Sequence, residues 1–205
     1  MLRLATSTDR DWVRHALDDL DATLVDHAHC EMKAAAHALS MAARHPDDPA
    51  FVRALTDLAR EEIDHFQRVH AVLVARGVPL GTPPDDPYVA ALRRAHTLVG
   101  PSPVRRGFAV AVDRLLTCAL IEARSCERFD LLSQSLLGVD EALASFYAEL
   151  RTSEARHYRT FLDLATRMAG DDEAAVFARL DVLAGVEGVI VEQRARETHR
   201  AAIHG

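Results

Sequence analysis

The sequence predicts an all-α fold: a four-helix bundle with one long crossover connection and additional C-terminal helices. Three observations carry that expectation. First, apolar residues recur at alternating steps of three and four along four stretches, the repeat that buries one face of a bundled helix. The stripes are Leu24, Ala28, Ala35, Ala38 and Ala42; Leu55, Leu58, Val69 and Val72; Phe108, Val112, Leu115, Ala119, Cys126 and Phe129; and Leu143, Tyr147, Leu150, Phe161, Leu164 and Met168. Second, aromatics make up only 5% of the chain while Ala, Leu and Arg abound, which favours helices over a sheet sandwich. Third, six of the eight prolines fall within residues 78–104 and separate two helical halves.

Taken in order, residues 1–10 form a lead-in, with Thr8 or Asp9 as N-cap ahead of Trp12 and Val13. A first long helix is expected to run to about residue 45, where Pro46-Asp47-Asp48-Pro49 ends it and caps the next. The second should span 49–76 and stop at Gly77, with Pro79 beyond. The proline-rich segment holds a short helix at 87–98 and is long enough to cross a bundle, so that the third helix runs parallel to the second. That third helix should span 104–137 and end at Gly138; Asp140 caps a fourth, which runs to 169 and is closed by Gly170. Residues 171–205 are expected to form a C-terminal helical extension of one or two helices, broken at Gly185 and Gly188 and frayed at its polar end. At 205 residues and 49% apolar, the chain can bury one sizeable core, so one domain over 1–205 is the default, with its core bundle at about 11–169.

Charge and cysteine content narrow the classes of function. A net charge of −7 argues against a generally basic nucleic-acid binder, though a local basic patch remains compatible with it. Cys30, Cys118 and Cys126 form no Cys-x-x-Cys and cannot all pair internally, which fits reduced thiols in a cytoplasmic protein. The N-terminus lacks the apolar stretch of a signal peptide, and no segment approaches the roughly 20 apolar residues needed to span a bilayer. No membrane partner is expected, and a monomer is compatible with the sequence.

Four of the stripes are interrupted by acids where Leu belongs. Glu62 and His65 sit three residues apart in one seam, and Glu154 and His157 repeat the pair in another. On a helix that spacing puts both side chains on one face, within reach of one ion. A lone seam glutamate precedes each pair: Glu31 by 31 residues and Glu122 by 32. The pattern Glu…Glu-x-x-His, twice, is the ligand constellation of ferritin-like dinuclear carboxylate bundles. Two divalent cations would cancel the charge of four buried carboxylates, which would otherwise cost many kcal/mol or be forced to protonate. Six candidate ligands follow: Glu31, Glu62, His65, Glu122, Glu154 and His157.

Other nearby groups fit the pattern less well. Glu61 and Glu127 fall off the stripes and are expected to be solvated or to hold the ligands from outside. Asp64 could hydrogen-bond the cluster, and so could His27, though a histidine there reads more readily as a polar residue near a bundle end; His37, Cys126 and Tyr147 read as ordinary helix and core residues. Carboxylates and imidazoles without thiolate disfavour structural zinc and suit iron or manganese. Iron with open positions points to O₂ activation or ferroxidase chemistry.

Longer runs carry a closer likeness. Ile121-Glu122-Ala123-Arg124-Ser125-Cys126-Glu127-Arg128-Phe129 resembles a run of the tRNA 2-methylthio-isopentenyladenosine hydroxylases, the MiaE-like family. So do the stretch from Asp26 to Ala35 around Glu31, Glu61-Glu62-x-x-His65-Phe66, and Ser153-Glu154-Ala155-Arg156-His157-Tyr158. The resemblance covers about residues 8–185 in order and spacing. It implies a ferritin-like non-haem di-iron monooxygenase that hydroxylates the isopentenyl group of the modified adenosine beside the anticodon. Its co-substrate would be O₂, with two electrons from an external donor such as a reductase or ferredoxin. It also implies two iron ions held by Glu31, Glu62, His65, Glu122, Glu154 and His157, the positions that match.

That chemistry would need an apolar pocket for the prenyl group, drawn from seam residues such as Phe108, Leu115, Ala119, Phe129 and Phe161. It would also need basic residues for the tRNA anticodon arm, with Arg93-Arg94 and Arg105-Arg106 as candidates. Arg124, Arg128 and Arg156 lie near ligands in sequence and are candidates to pair with Glu127 or other acids around the site. A ferritin- or rubrerythrin-like iron oxidase shares the ligand pattern but leaves the 121–129 run unexplained, and a di-iron oxygenase acting on another apolar substrate would share the site. A non-enzymatic bundle leaves the seam carboxylates without a counter-charge.

Overall fold

The structure is a computed structural model that describes residues 2–104, 107–197 and Ile203. Among the described residues it contains helices and no strand: α1 (Arg10–Asp18), α2 (Leu20–Ala42), α3 (Pro49–Ala75), α4 (Pro87–Leu98), α5 (Ala109–Leu136), α6 (Glu141–Met168) and α7 (Glu173–Glu197). The all-α expectation holds.

Five helices begin by one device, α7 among them, where Asp172 accepts from the Ala175 N–H. Asp19, Asp48, Asp86 and Asp140 each accept from the backbone N–H three residues on, at Ala22, Phe51, Val89 and Leu143. Pro49 and Pro87 then occupy the first helical position of α3 and α4, where a missing N–H costs nothing. α5 is the exception, since Phe108 precedes it without a side-chain cap.

The backbone divides into two compact units. One is built on α2 and α3, which bury Leu24, Ala28, Ala35, Leu55, Leu58, Val69 and Leu73. Arg76, just past the end of α3, donates from Nε to Asp21 Oδ1 in the first turn of α2 at 2.7 Å, so the two helices run antiparallel. The other unit holds the N-terminal segment and α4–α7. There α5 packs on α6 across the turn at Gly138, whose φ of 76° is the left-handed conformation that a glycine adopts freely. α7 packs on both, and Tyr88 and Leu92 of α4 bury against Ile190 and Val191 of α7.

Four expectations need correction. The first long helix is two, α1 and α2, because Asp19 leaves the helical conformation (φ −131°, ψ 64°) and caps α2, while Thr23 Oγ1 donates to Ala16 O and Asp19 O across the break. The third helix starts at Ala109 rather than 104, after Gly107 with φ 105°. Among the described residues the C-terminal extension is one helix, unbroken at either glycine. α7 runs through Gly185 and Gly188, and a Cβ at Gly188 would stand 2.6 Å from Thr6 Oγ1, so this glycine admits the N-terminal segment rather than ending a helix. Phe108, assigned to the apolar seam, is 45% exposed ahead of α5. The polar end expected to fray lies outside the described residues except for Ile203, which is buried with its N–H donating to Asp26. No helix among the described residues is long and apolar enough to cross a membrane.

Candidate metal centre

Within the α2–α3 pair, Glu31, Glu62 and His65 converge. His65 Nδ1 lies 3.5 Å from Glu62 Oε2 and 3.7 Å from Glu31 Oε2. One candidate ligand atom from each of the three lies within 4.8 Å of the others, and none of the three residues is more than 5% exposed. The convergence follows from the register: Glu62 and His65 are one turn apart on the buried face of α3, and Glu31 occupies the buried face of α2 between Ala28 and Ala35. Neighbouring ligands held about 2.1 Å from one ion lie roughly 3 Å apart. The observed spacings are close to that, and longer than the best hydrogen bonds.

The α5–α6 pair repeats the set. His157 Nδ1 lies 3.9 Å from Glu154 Oε2 and 4.0 Å from Glu122 Oε2, with all three side chains buried. All six sequence-derived residues therefore fall on buried faces, three in each helix pair.

The surroundings differ from expectation in part. His27 is fully buried and its Nε2 lies 2.6 Å from Glu31 Oε1, so it holds that carboxylate from one turn away. Asp64 is exposed and turned from the cluster, and His37 is half-buried. Cys126 Sγ contacts Arg151 O at 3.4 Å, and burial pushes its thiol up to about 11. Tyr147 packs its ring against Phe129 and Phe146.

Behind Glu122, on the opposite face of α5, lies a buried network that sequence reasoning missed in part. Arg124 is fully buried and forms a two-pronged pair with Glu187 of α7, Nε to Oε1 at 2.9 Å and Nη2 to Oε2 at 2.8 Å. Its other donors reach Thr6 O, Thr8 Oγ1 and Glu127, and Tyr88 of α4 donates to Glu187 Oε1 at 2.9 Å. The pairing of Arg124 with Glu127 was expected; Glu187 and Tyr88 were not. Glu187 had a signal, because it interrupts the buried stripe Val176, Leu180, Leu183, Ile190 just as Glu62 interrupts its own. Burial alone would lower the Arg124 guanidinium, but the hydrogen bond and charge of Glu187, with Glu127, raise it. Burial, then the neighbouring Arg124, lowers Arg128 to about 10; its guanidinium lies 4.9 Å over the Trp12 ring. Burial and then Glu187 raise the Tyr88 phenol well above its ordinary value.

Comparison with known proteins agrees with the geometry. The family model described as tRNA-(MS2IO6A)-hydroxylase (MiaE) matches residues 2–202. The chain belongs to the MiaE family. Two relatives are named tRNA 2-(methylsulfanyl)-N(6)-isopentenyladenosine(37) hydroxylase. The one from Pseudomonas putida is 37% identical over 95% of this chain and 89% of its own length. The one from Salmonella typhimurium is 30% identical over 93% of this chain and 84% of its own. Among solved structures, the protein 43 with aldehyde deformylating oxygenase activity from Synechococcus superposes with a TM-score of 0.86 at 35% identity, covering 100% of this chain and 96% of that one. The ferritin-like fold class stands.

The donor chemistry of this MiaE-family chain fits iron. Each helix pair offers two carboxylates and one imidazole from buried seams, and no thiolate enters either set. Buried carboxylates of this kind call for a cation.

Proposed function

We propose that this MiaE-family chain is the di-iron tRNA hydroxylase that oxidises the isopentenyl group of 2-methylthio-isopentenyladenosine next to the anticodon. The observation that carries this is the family match over residues 2–202, which includes both buried Glu…Glu-x-x-His sets.

In this account Glu31, Glu62, His65, Glu122, Glu154 and His157 together hold two iron ions. When bound, the irons supply the activation of O₂ that C–H hydroxylation requires, with two electrons from an external donor such as a reductase or ferredoxin. The four carboxylates balance the charge of the ions, and His27 fixes the orientation of Glu31 through its 2.6 Å contact. Leu115, Ala119, Phe129 and Phe161, all buried, are the seam residues from which an apolar, water-excluding pocket for the prenyl group is drawn. Arg93 and Arg94 stand exposed on α4 and are suited to phosphate contacts along the anticodon arm; the other pair considered, Arg105-Arg106, lies outside the described residues. A tRNA substrate implies a cytoplasmic enzyme.

The test is nucleoside mass spectrometry. Isopentenyl-modified tRNA, incubated with iron-loaded protein, reductant and O₂, should gain one oxygen on the prenylated adenosine, and Glu154→Ala should abolish that gain. No gain from a sample holding two irons per chain would turn the assignment to iron oxidation or to another apolar substrate.

A further inference from the structure

Glu122 projects from one face of α5, and a buried polar network occupies the opposite face. α5 starts without a side-chain cap, and one turn before Glu122 stands Cys118, where the equivalent place before Glu31 is taken by His27. What holds α5 lies on its other side. Two residues along a helix is about 200° around it, so Arg124 projects from the face opposite Glu122.

Arg124 is the largest fully buried side chain among the described residues, and five hydrogen bonds match its five N–H donors. Two go to Glu187 on α7, one each to Thr6 O and Thr8 Oγ1 on the N-terminal segment, and one to Glu127 a turn further along α5. The acceptors are themselves held. Tyr88 donates to Glu187, and Thr8 donates to Glu127 from both its N–H and its hydroxyl. A planar guanidinium bound along all its edges resists rotation and sliding of the helix that carries it.

We propose that Arg124, through Glu187, is the positioning residue for Glu122: it sets the roll and axial register of α5 so that the Glu122 carboxylate meets Glu154 and His157. Arg124 touches neither substrate nor metal in this role. The proposal rests on the metal reading of the buried carboxylates, and it assigns a purpose to Arg124 and Glu127 within the 121–129 run that ligation alone leaves idle.

The same unit supplies its own control. Arg179 of α7 makes a second two-pronged pair with α5, Nε to Asp113 Oδ1 at 2.9 Å and Nη2 to Asp113 Oδ2 at 2.7 Å, and donates from Nη1 to Gly100 O. It joins the same two helices, but Asp113 lies nine residues before Glu122.

The experiment is titration of the metal-free full chain with Co(II), followed by its visible absorption, in wild type, Arg124→Lys, Glu187→Gln and Arg179→Lys, with melting measured beside it. Melting should fall in all three variants. Co(II) affinity should fall 10–100-fold in Arg124→Lys, fall in the same direction in the shape-preserving Glu187→Gln, and stay at the wild-type value in Arg179→Lys. Should the lysine variant not fold, Glu187→Gln decides on its own against Arg179→Lys. Unchanged affinity in the Arg124 and Glu187 variants, or an equal loss in Arg179→Lys, overturns the positioning role while leaving the metal reading intact. Failure of wild type to take up two Co(II) per chain overturns the metal reading and the proposal with it.

Discussion

The two Glu-x-x-His helix pairs carry the same three ligand types at nearly the same spacing, yet they hold their lone glutamate by different means. In the α2–α3 pair the helix start is capped by Asp19, and Glu31 is gripped directly by His27 at 2.6 Å. In the α5–α6 pair the helix start is uncapped, Cys118 stands where a histidine would, and the anchoring comes from Arg124 and Glu187 on the far face. One glutamate is gripped directly by a histidine, and the helix of the other is anchored from its far face. A repeated motif therefore does not imply repeated support, and substitutions at matching places should not have matching effects.

The largest effects should be shared by both pairs. Glu62→Ala and Glu154→Ala each remove a buried carboxylate proposed as a ligand, and each should reduce tRNA hydroxylation to background in the nucleoside assay. Survival of activity in either variant would break the equivalence of the two sets. The next effect should distinguish them. His27→Ala removes the direct grip on Glu31 and should weaken Co(II) binding by about tenfold or more, whereas Cys118→Ala, at the matching place before Glu122, should leave it unchanged. Equal responses in the Co(II) titration would erase the proposed difference.

Smaller effects sharpen the account of the Arg124 network. Tyr88→Phe deletes one donor to Glu187 and leaves the guanidinium pair in place. It should cost about 1–2 kcal/mol in denaturant unfolding, with Co(II) affinity close to wild type. A large loss of metal would shift the key role from Arg124 to Tyr88. The smallest expected signal is chemical. Burial pushes the Cys118 thiol up to about 12, so it is neutral at pH 8 and should resist iodoacetamide in the folded protein. The sign of the linked stability follows: the unfolded thiol releases its proton first, so this group's contribution is intact below the ordinary thiol pKa of about 8.5 and is lost as pH climbs beyond it. Rapid labelling at pH 8 under native conditions would show that this stretch of α5 opens readily.

Much of this was legible in the sequence because it was periodic. The apolar stripes, the Asp caps at Asp48 and Asp140 and the glycine at Gly138 are local signals, and both ends of α3 and α6 and the end of α5 lie within a residue or two of expectation. The burial of Glu31, Glu62, Glu122 and Glu154 was readable because each interrupts an apolar stripe, where an acid must find a positive charge or protonate. The misses were places where a local signal was overridden from far along the chain. Gly188 reads as a breaker, but it is the gap into which Thr6 fits. Asp19 lies inside a helical pattern and nothing beside it announces that it caps rather than continues. Glu187 interrupts its stripe as Glu62 does, and its counter-charge is a guanidinium 63 residues earlier, where the proposed one for Glu62 is a metal. A seam carboxylate shows that a positive charge is buried with it, and only three dimensions show which.

The account stands most directly on where the new oxygen comes from. Iron-loaded protein should be given isopentenyl-modified tRNA and reductant under ¹⁸O₂ in ordinary water, and the nucleosides analysed by mass. The account predicts one ¹⁸O on the prenyl group of the modified adenosine with wild type and none with Glu62→Ala or Glu154→Ala. An oxygen derived from water, or unmodified adenosine from a sample with two irons per chain, would contradict it.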